Sequence, residues 1–245
     1  MFRLGLLGKN IEYSFSKAYF TEKFKMEHLP YTYENFDINS ISQFPKIIKS
    51  KPNIAGLNVT IPYKEEVIGY LDDIETTAGE IGAVNTIKIL NHGKLKGYNT
   101  DYYGFQKSIK PYLQSFHKKA LILGTGGASK AVAYALNIMN IEFHYVSRKQ
   151  KSGVSYTYDD LTLEILKKHH IIINCTPLGT FPEVSHHPNI PYEAINGSHL
   201  LYDLIYNPSE TEFLRRGKLR GATICNGKDM LRFQAERAWE IWDLD

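Results

Sequence analysis

The sequence predicts an α/β protein built from two units. An N-terminal α/β unit with a mixed sheet precedes a Rossmann-type unit, and a cleft lies between them. Three observations carry this. First, Ala120–Leu123 is a short apolar run that reads as a buried strand, followed by Gly124, Gly126 and Gly127 and then by Ala131, Val132, Ala135, Leu136 and Met139 on one helical stripe. Second, near-continuous apolar runs such as Ile171-Ile172-Ile173 fit parallel strands covered on both faces. Third, strands and helices alternate all the way to Asn99, ahead of the glycine turn.

Composition narrows the class without fixing the chemistry. A chain of 245 residues can hold one large or two small domains. With 43% hydrophobic and 22% charged residues it is ordinary for a soluble protein, and a net charge of +3 is too mild to argue for nucleic acid or a membrane surface. It does suit a small anionic ligand. No apolar run approaches the ~20 residues of a membrane span. The opening MFRLGLLGKN is too short and glycine-broken for a signal peptide. Two cysteines, Cys175 and Cys225, make no disulfide framework and point to a reducing, cytoplasmic setting. The pairs His169-His170 and His186-His187 lack the spacing of a metal site, so no metal is expected.

In chain order, Phe2–Leu7 reads as a strand ending at Gly8. A helix opens at Ser14-Phe15-Ser16, with either serine available as its N-cap. A strand over Tyr31–Ile38, a helix over Ile41–Ile48 and a strand over Ile54–Thr60 follow. Pro62 stands at a plausible helix start, with Tyr63, Lys64, Glu65 and Glu66 in its first turn. Ala83–Leu90 and Lys94–Tyr98 flank Asn91-His92-Gly93, a hairpin signal. Tyr102–Leu113 is helical in pattern, though Pro111 interrupts it. Beyond the glycine turn come a strand over Phe143–Val146, a helix over Leu161–Lys168 and the strand Ile171–Cys175. A strand over Leu200–Ile205, a short helix near Glu212–Arg215, a strand over Ala222–Cys225 and a helix over Met230–Trp242 complete the chain.

The glycine turn is where chemistry first becomes legible. Glycines let a backbone approach a pyrophosphate, and the unpaired N–H groups of a helix start favour its charge. Here Gly124, Thr125, Gly126, Gly127 and Ala128 form that turn, with Ser129 where a third glycine or alanine is usual. About 20 residues on, a carboxylate would mark an NAD site. This chain has Ser147-Arg148-Lys149, which attracts a 2′-phosphate and so favours NADP, although Lys151 continues a run that could be a solvated basic loop.

Lys64 sits oddly at the positive end of the expected helix, whose field would lower its pKa and suit it to proton transfer. Alone it reads first as a surface lysine, and Asp101 reads first as an N-cap and only second as a catalytic group. Should the two meet across a pocket, they titrate as one pair. Asn58, Thr60, Asn85, Asn99 and Thr100 fall at strand ends or turns, where short polar arms suit a polyhydroxylated ligand or simply satisfy loop backbone. Gln234 shares a helix face with Met230 and Ala238, either lining a cavity or lying at the stripe's edge.

These residues carry a resemblance. Segments 5–16 (GLLGKNIEYSFS), 58–65 (NVTIPYKE), 82–86 (GAVNT), 97–104 (GYNTDYYG), 123–131 (LGTGGASKA), 173–179 (INCTPLG) and 226–231 (NGKDML) resemble the shikimate dehydrogenase family over nearly the whole length. The resemblance implies NADP-linked, reversible oxidation of shikimate to 3-dehydroshikimate, a step of aromatic amino acid biosynthesis. It implies Lys64 as the acid/base group, with Asp101 holding the reacting hydroxyl. Ser14 and Ser16 would take the substrate carboxylate, and Thr60, Asn85, Tyr206 and Gln234 would complete the pocket with Asn58 nearby. The cofactor would lie on Gly124–Ala128, with Ser147, Arg148 and Lys149 at its 2′-phosphate and Leu204 and Gly227 near the nicotinamide. The substrate domain would comprise residues 1–100 completed by the C-terminal helix 227–245, and the NADP-binding Rossmann domain residues 101–226.

The chain departs from the family pattern at three places. Ser147-Arg148-Lys149 replaces Asn-Arg-Thr, Lys228 and Asp229 alter the charge after Gly227, and Thr76 stands where an acid is common. A monomer or homodimer is expected. Two further readings compete: a quinate/shikimate dehydrogenase of broader specificity that uses NAD, and a non-catalytic NADPH-binding sensor, which would not need Lys64 with Asp101.

Overall fold

The first strand, β1 (Arg3–Gly8), is buried from Leu4 onward, as its unbroken apolar run requires. The computed structural model describes every residue except Met1, Tyr13, Pro52 and Asp245; Tyr13, within the 5–16 segment, thus lies outside the described residues. Helix α1 (Phe15–Met26) starts at Ser14, whose hydroxyl accepts from the Lys17 amide at 3.2 Å. It buries Ser16, Phe20 and Phe24, four residues apart and so on one face. Then come β2 (Thr32–Asp37), α2 (Phe44–Ser50), the wholly buried β3 (Ile54–Val59), β4 (Asp73–Ile74), α3 (Thr76–Ile81), β5 (Thr86–Ile89) and β6 (Leu95–Tyr98).

These strands form a mixed sheet in the order β2-β1-β3-β5-β6-β4. β1 runs parallel to both neighbours, whereas β5 is antiparallel to β3 and to β6. The β5–β6 hairpin turns at Asn91-His92-Gly93, where His92 and Gly93 take the left-handed φ values of 62° and 75° that a tight reversal demands.

The remaining elements are α4 (Asp101–Ile109), β7 (Lys119–Leu123), α5 (Gly127–Ile138), β8 (Glu142–Ser147), β9 (Tyr156–Thr157), α6 (Leu163–Lys168), β10 (Ile171–Asn174), β11 (Leu200–Asp203), α7 (Glu212–Leu219), β12 (Thr223–Cys225) and α8 (Lys228–Trp242). Their six strands are all parallel, in the order β12-β11-β10-β7-β8-β9. Counted from β7, that is the doubly wound Rossmann order 3-2-1-4-5-6, with its switch point between β7 and β10. Alternate strand residues feed two cores. Ile122, Ile173 and Tyr202 pack with Val132 and Leu136 of α5, while Leu121, Ile172 and Leu201 pack with Phe213 and Leu214 of α7.

The chain divides into two units, residues 1–100 with 234–245 and residues 101–233, so the division falls inside α8. The C-terminal part of that helix is fastened to the mixed sheet by Trp242. Its ring is fully buried, and its Nε1–H donates to the Ile87 carbonyl at 3.0 Å. A Cβ on Gly56 would stand 2.3 Å from that nitrogen, which explains a glycine in the middle of β3.

Several expectations need correction. No α-helix begins at Pro62. Residues 61–65 form a turn, and only a five-residue 3-10 helix, Glu66–Tyr70, follows. The cause is tertiary: the Lys64 carbonyl accepts from the Val84 amide at 2.7 Å instead of from a residue one helical turn ahead. The helix expected over Ile41–Ile48 opens as a 3-10 turn, Ile41–Gln43, under a Ser40–Gln43 capping box. Pro111 ends α4 at Ile109, with a 3-10 turn after it. Asp101 is the first residue of α4 rather than its cap.

Candidate active site

In the first unit the polar residues at strand ends join in one buried network. Asn58 at 3%, Asn85 at 2% and Gln234 at 6% exposure lie where an unsatisfied amide would cost about 1–3 kcal/mol, so each is bonded. Asn58 Nδ2 donates to Thr86 Oγ1 at 3.2 Å and to the Asn85 carbonyl at 3.4 Å. Asn85 Oδ1 accepts from the Thr100 amide at 2.7 Å and the Thr86 hydroxyl at 3.1 Å, while its Nδ2 donates to Thr100 Oγ1 at 3.0 Å and Gln234 Oε1 at 3.3 Å. Asn99 is also buried, but its Nδ2 donates to the Ala83 carbonyl at 2.8 Å and so secures the loop backbone.

Two members of this network carried no role in the sequence reading. Tyr33, on the inward face of β2, donates to Asn58 Oδ1 at 2.7 Å and hydrogen-bonds with the Ser16 hydroxyl. Burial pushes the Tyr33 phenol far up, so it stays a neutral donor. Thr86 relays Asn58 to Asn85. Thr86 had a signal, since it closes the GAVNT segment; Tyr33 had none, because it lies three residues from Phe36 and so on the opposite face of its strand, in a different core.

The network thus gathers Ser16, Asn58, Asn85 and Gln234. Ser14 serves as the α1 cap. Thr60 anchors its backbone to the Leu7 carbonyl at 2.9 Å, and its methyl would lie 2.5 Å from a Cβ on Gly8. Lys64 is partly buried in the turn just before the 3-10 helix, so the helix-field argument for it has no α-helix to rest on. Asp101, 5% exposed, and Tyr206, 36% exposed, belong to the second unit.

In the second unit the candidate residues cluster at the C-terminal ends of the central strands, where open parallel sheets bind ligands. Gly124 has φ +105°, a region closed to most side chains, and a Cβ there would lie 3.2 Å from the Cys175 carbonyl and the Thr176 methyl. Gly126 caps α5 without a side-chain bond, and a Cβ on it would meet nothing within 4 Å. The first turn of α5 therefore presents Gly127 and Ala128 with open space at the cap, which fits an approaching pyrophosphate. Ser129 is buried and donates from Oγ to the Gly126 carbonyl at 2.7 Å, so it tightens the turn where a third glycine would only fit.

Ser147 ends β8, and Arg148 and Lys149 after it are exposed. Burial moves the nearby Tyr158 phenol up to about 12, against the pull of the Arg148 charge. Two consecutive basic residues directly after the strand, where a carboxylate would mark a ribose hydroxyl, fit a phosphate ester. The Asp160 carboxylate, just beyond the neighbouring strand β9, is engaged by the Thr157 amide and hydroxyl at 2.7 Å. Gly227 has a packing reason of its own: a Cβ would lie 2.0 Å from the Leu204 carbonyl oxygen. Of the departures, Asp229 pairs with Arg232 at 3.4 Å, and Thr76 follows Glu75, whose carboxylate caps α3 through the Ala78 amide at 3.0 Å.

Fold and site define a class: a two-unit α/β protein with a Rossmann-type sheet and its phosphate-binding turn, joined to a unit that buries an array of amides and hydroxyls. Residues 6–87 match the family described as the shikimate dehydrogenase substrate binding domain. Over 255 aligned residues, covering 100% of this chain and 98% of its relative, the sequence is 39% identical to the shikimate dehydrogenase (NADP(+)) of Clostridium botulinum. The crystal structure of shikimate dehydrogenase from Aquifex aeolicus is similar with a TM-score of 0.89 at 34% identity, covering 99% of this chain and 92% of that one. The Thermus thermophilus shikimate 5-dehydrogenase, solved in complex with NADP(H) and shikimate, is similar with a TM-score of 0.88 at 30% identity, covering 99% and 94%. The chain belongs to the shikimate dehydrogenase family.

Proposed function

We propose that this chain is an NADP-dependent shikimate dehydrogenase, catalysing reversible oxidation of the shikimate carbinol to 3-dehydroshikimate in aromatic amino acid biosynthesis. The observation that carries the reading is its 39% identity, end to end, with a relative named for that NADP-linked activity. The basic pair Arg148-Lys149 at the end of β8 supports the cofactor choice independently of any relative.

NADP, when bound, supplies the acceptor for the hydride lost from the carbinol carbon. Lys64 takes the hydroxyl proton as the hydride leaves and returns it in reverse, so that charge does not accumulate on oxygen. Asp101 holds that hydroxyl in place. Ser14 and Ser16 bind the carboxylate at the α1 N-terminus, where the helix favours an anion. Asn58, Thr60, Asn85, Tyr206 and Gln234 hold the remaining hydroxyls; the bonds among Asn58, Asn85 and Gln234 set their amides before any ligand arrives.

Gly124, Thr125, Gly126, Gly127 and Ala128 receive the pyrophosphate, Ser147, Arg148 and Lys149 the 2′-phosphate, and Leu204 and Gly227 the nicotinamide end. On this reading residues 1–100 with the C-terminal helix 227–245 recognise substrate, and residues 101–226 recognise cofactor. The two thiols, both free, suit a cytoplasmic enzyme, and the proposed assembly is a monomer or homodimer.

Mixing purified protein with shikimate and NADP tests the proposal. Stoichiometric formation of reduced cofactor and 3-dehydroshikimate is expected. Tight NADPH binding without turnover of shikimate or quinate would instead make the chain a sensor.

A further inference from the structure

Asp203 ends β11 and is fully buried. Its Oδ1 accepts from Asn174 Nδ2 at 3.1 Å and from the Ile205 amide at 3.0 Å, and its Oδ2 accepts from Thr211 Oγ1 at 2.6 Å. These partners come from three segments: the last residue of β10, the loop after β11, and the N-cap of α7.

Each of the first two partners passes the constraint on. Asn174 Oδ1 accepts from the Thr176 amide at 3.0 Å and from its hydroxyl at 2.6 Å. It thereby fixes the turn that lies against Gly124, 3.2 Å from where a Cβ would stand. On the other side the Ile205 carbonyl accepts from the Gly227 amide at 3.0 Å, beside the close Leu204–Gly227 approach. One carboxylate therefore ties the loop beside the glycine turn to the loop beside Gly227, across the C-terminal edge where such sheets bind ligands.

We propose that Asp203 is a positioning residue for the dinucleotide, setting the loops after β10 and β11 at the spacing its nicotinamide half requires. The inference rests on the NADP reading given above. Burial outweighs the three bonds and pushes this carboxyl up to about 6. Cys175 on the β10 loop and Tyr192 feel its charge, and the Tyr192 ring carries Arg216 of α7 at 5.4 Å, with Glu212 of the same helix nearby. Burial, and then the Asp203 charge, push the Cys175 thiol up; burial pushes the Tyr192 phenol up against the pull of Arg216, with Glu212 and Asp203 adding to the rise. Protonation of Asp203 would force the Thr211 hydroxyl to reverse from donor to acceptor and would remove the charge that strengthens all three bonds.

Asp203→Asn keeps the shape and imitates the protonated form. In the cofactor-free variant, amide exchange of Cys175, Thr176, Leu178 and residues 204–206 is expected to quicken at pH 8. NADPH affinity should weaken roughly tenfold, as three charge-assisted hydrogen bonds become neutral ones. The variant-to-wild-type ratio of Kd for NADPH should shrink toward one at pH 5, where the wild type is itself protonated. The 2′-phosphate titrates on both sides of that ratio and cancels.

A ratio that stays constant with pH, or loops that exchange as in the wild type with unchanged Kd, overturns the proposal. Should Asp203→Asn not fold, Thr211→Val removes a single donor. It should then raise the pH at which NADPH affinity falls, and an unmoved midpoint overturns the proposal equally. Failure of the wild type to bind NADPH would sink the cofactor reading itself. Tight wild-type binding with an unaffected variant sinks only the role of Asp203.

Discussion

The two sheets handle polar groups in opposite ways. In the mixed sheet the polar residues lie inside the layer: Asn58 is on a strand whose every position is buried, and Thr86 and Thr100 are fully buried beside Asn85. In the parallel sheet the central strands bury Leu121, Ile122, Ile172 and Leu201 on both faces, and the candidate chemistry is confined to the strand ends. A ligand with several hydroxyls needs many stiff side-chain arms, and those must be held by one another. A dinucleotide phosphate needs backbone N–H groups and a few charges, which glycines and one basic loop supply. Changes within the buried amide and hydroxyl network of the first unit should therefore disturb stability and substrate recognition together, whereas changes at exposed or turn positions should separate them.

The largest expected effect breaks the chemistry and leaves the scaffold. Lys64→Ala should lower kcat on the order of a thousandfold, the scale of a lost general acid/base, while equilibrium binding of shikimate holds. Unchanged kcat would remove Lys64 from the mechanism. Next, Arg148→Ala should weaken NADP kcat/KM about tenfold with little change for NAD, and no change in thermal midpoint. A matching loss with both cofactors would return the basic loop to a merely solvated role.

Tyr33→Phe sharpens the contrast from the other side. It leaves Asn58 Oδ1 without its 2.7 Å donor, so unfolding free energy should fall by about 1–3 kcal/mol, with a rise in KM for shikimate and a much smaller change in that for NADP. Denaturant titration and steady-state kinetics read both. Stability lost with no change in KM would uncouple the network from substrate.

The smallest effect concerns the acid side. Burial pushes the imidazoles of His117, His169 and His199 down, all in the parallel-sheet unit, with His144 3.0 Å from His169 and His170 beside His199. The folded state then binds fewer protons than the unfolded one below the ordinary imidazole range near 6.5. That stability is complete above pH ~6.5 and is lost as pH falls toward the folded values. The raised carboxyl of Asp203 acts oppositely, losing stability as pH rises through about 6. Three groups against one should lower the denaturation midpoint modestly from pH 7 to pH 5, and a midpoint that rises instead would contradict the assignment.

What the sequence disclosed followed from locality. The strand–glycine–helix unit, the hairpin at Asn91-His92-Gly93 and the buried runs of the parallel sheet are each specified within about 20 residues, and the structure has them where they were expected. The two-residue strands β4 and β9 have no pattern of their own and exist only through pairing with β6 and β8. The helix expected after Pro62 failed because Val84, 20 residues on, claims the Lys64 carbonyl. Site residues quoted in motifs were readily found. What joins them was not, because Tyr33 meets Asn58 across β1, and Gln234 meets Asn85 from the far end of the chain.

Steady-state rates with shikimate and quinate, each with NADP and NAD, put the account to its most direct test. The predicted result is the highest kcat/KM for shikimate with NADP, and a clear preference for NADP with either substrate. The highest kcat/KM for quinate with NAD would contradict it.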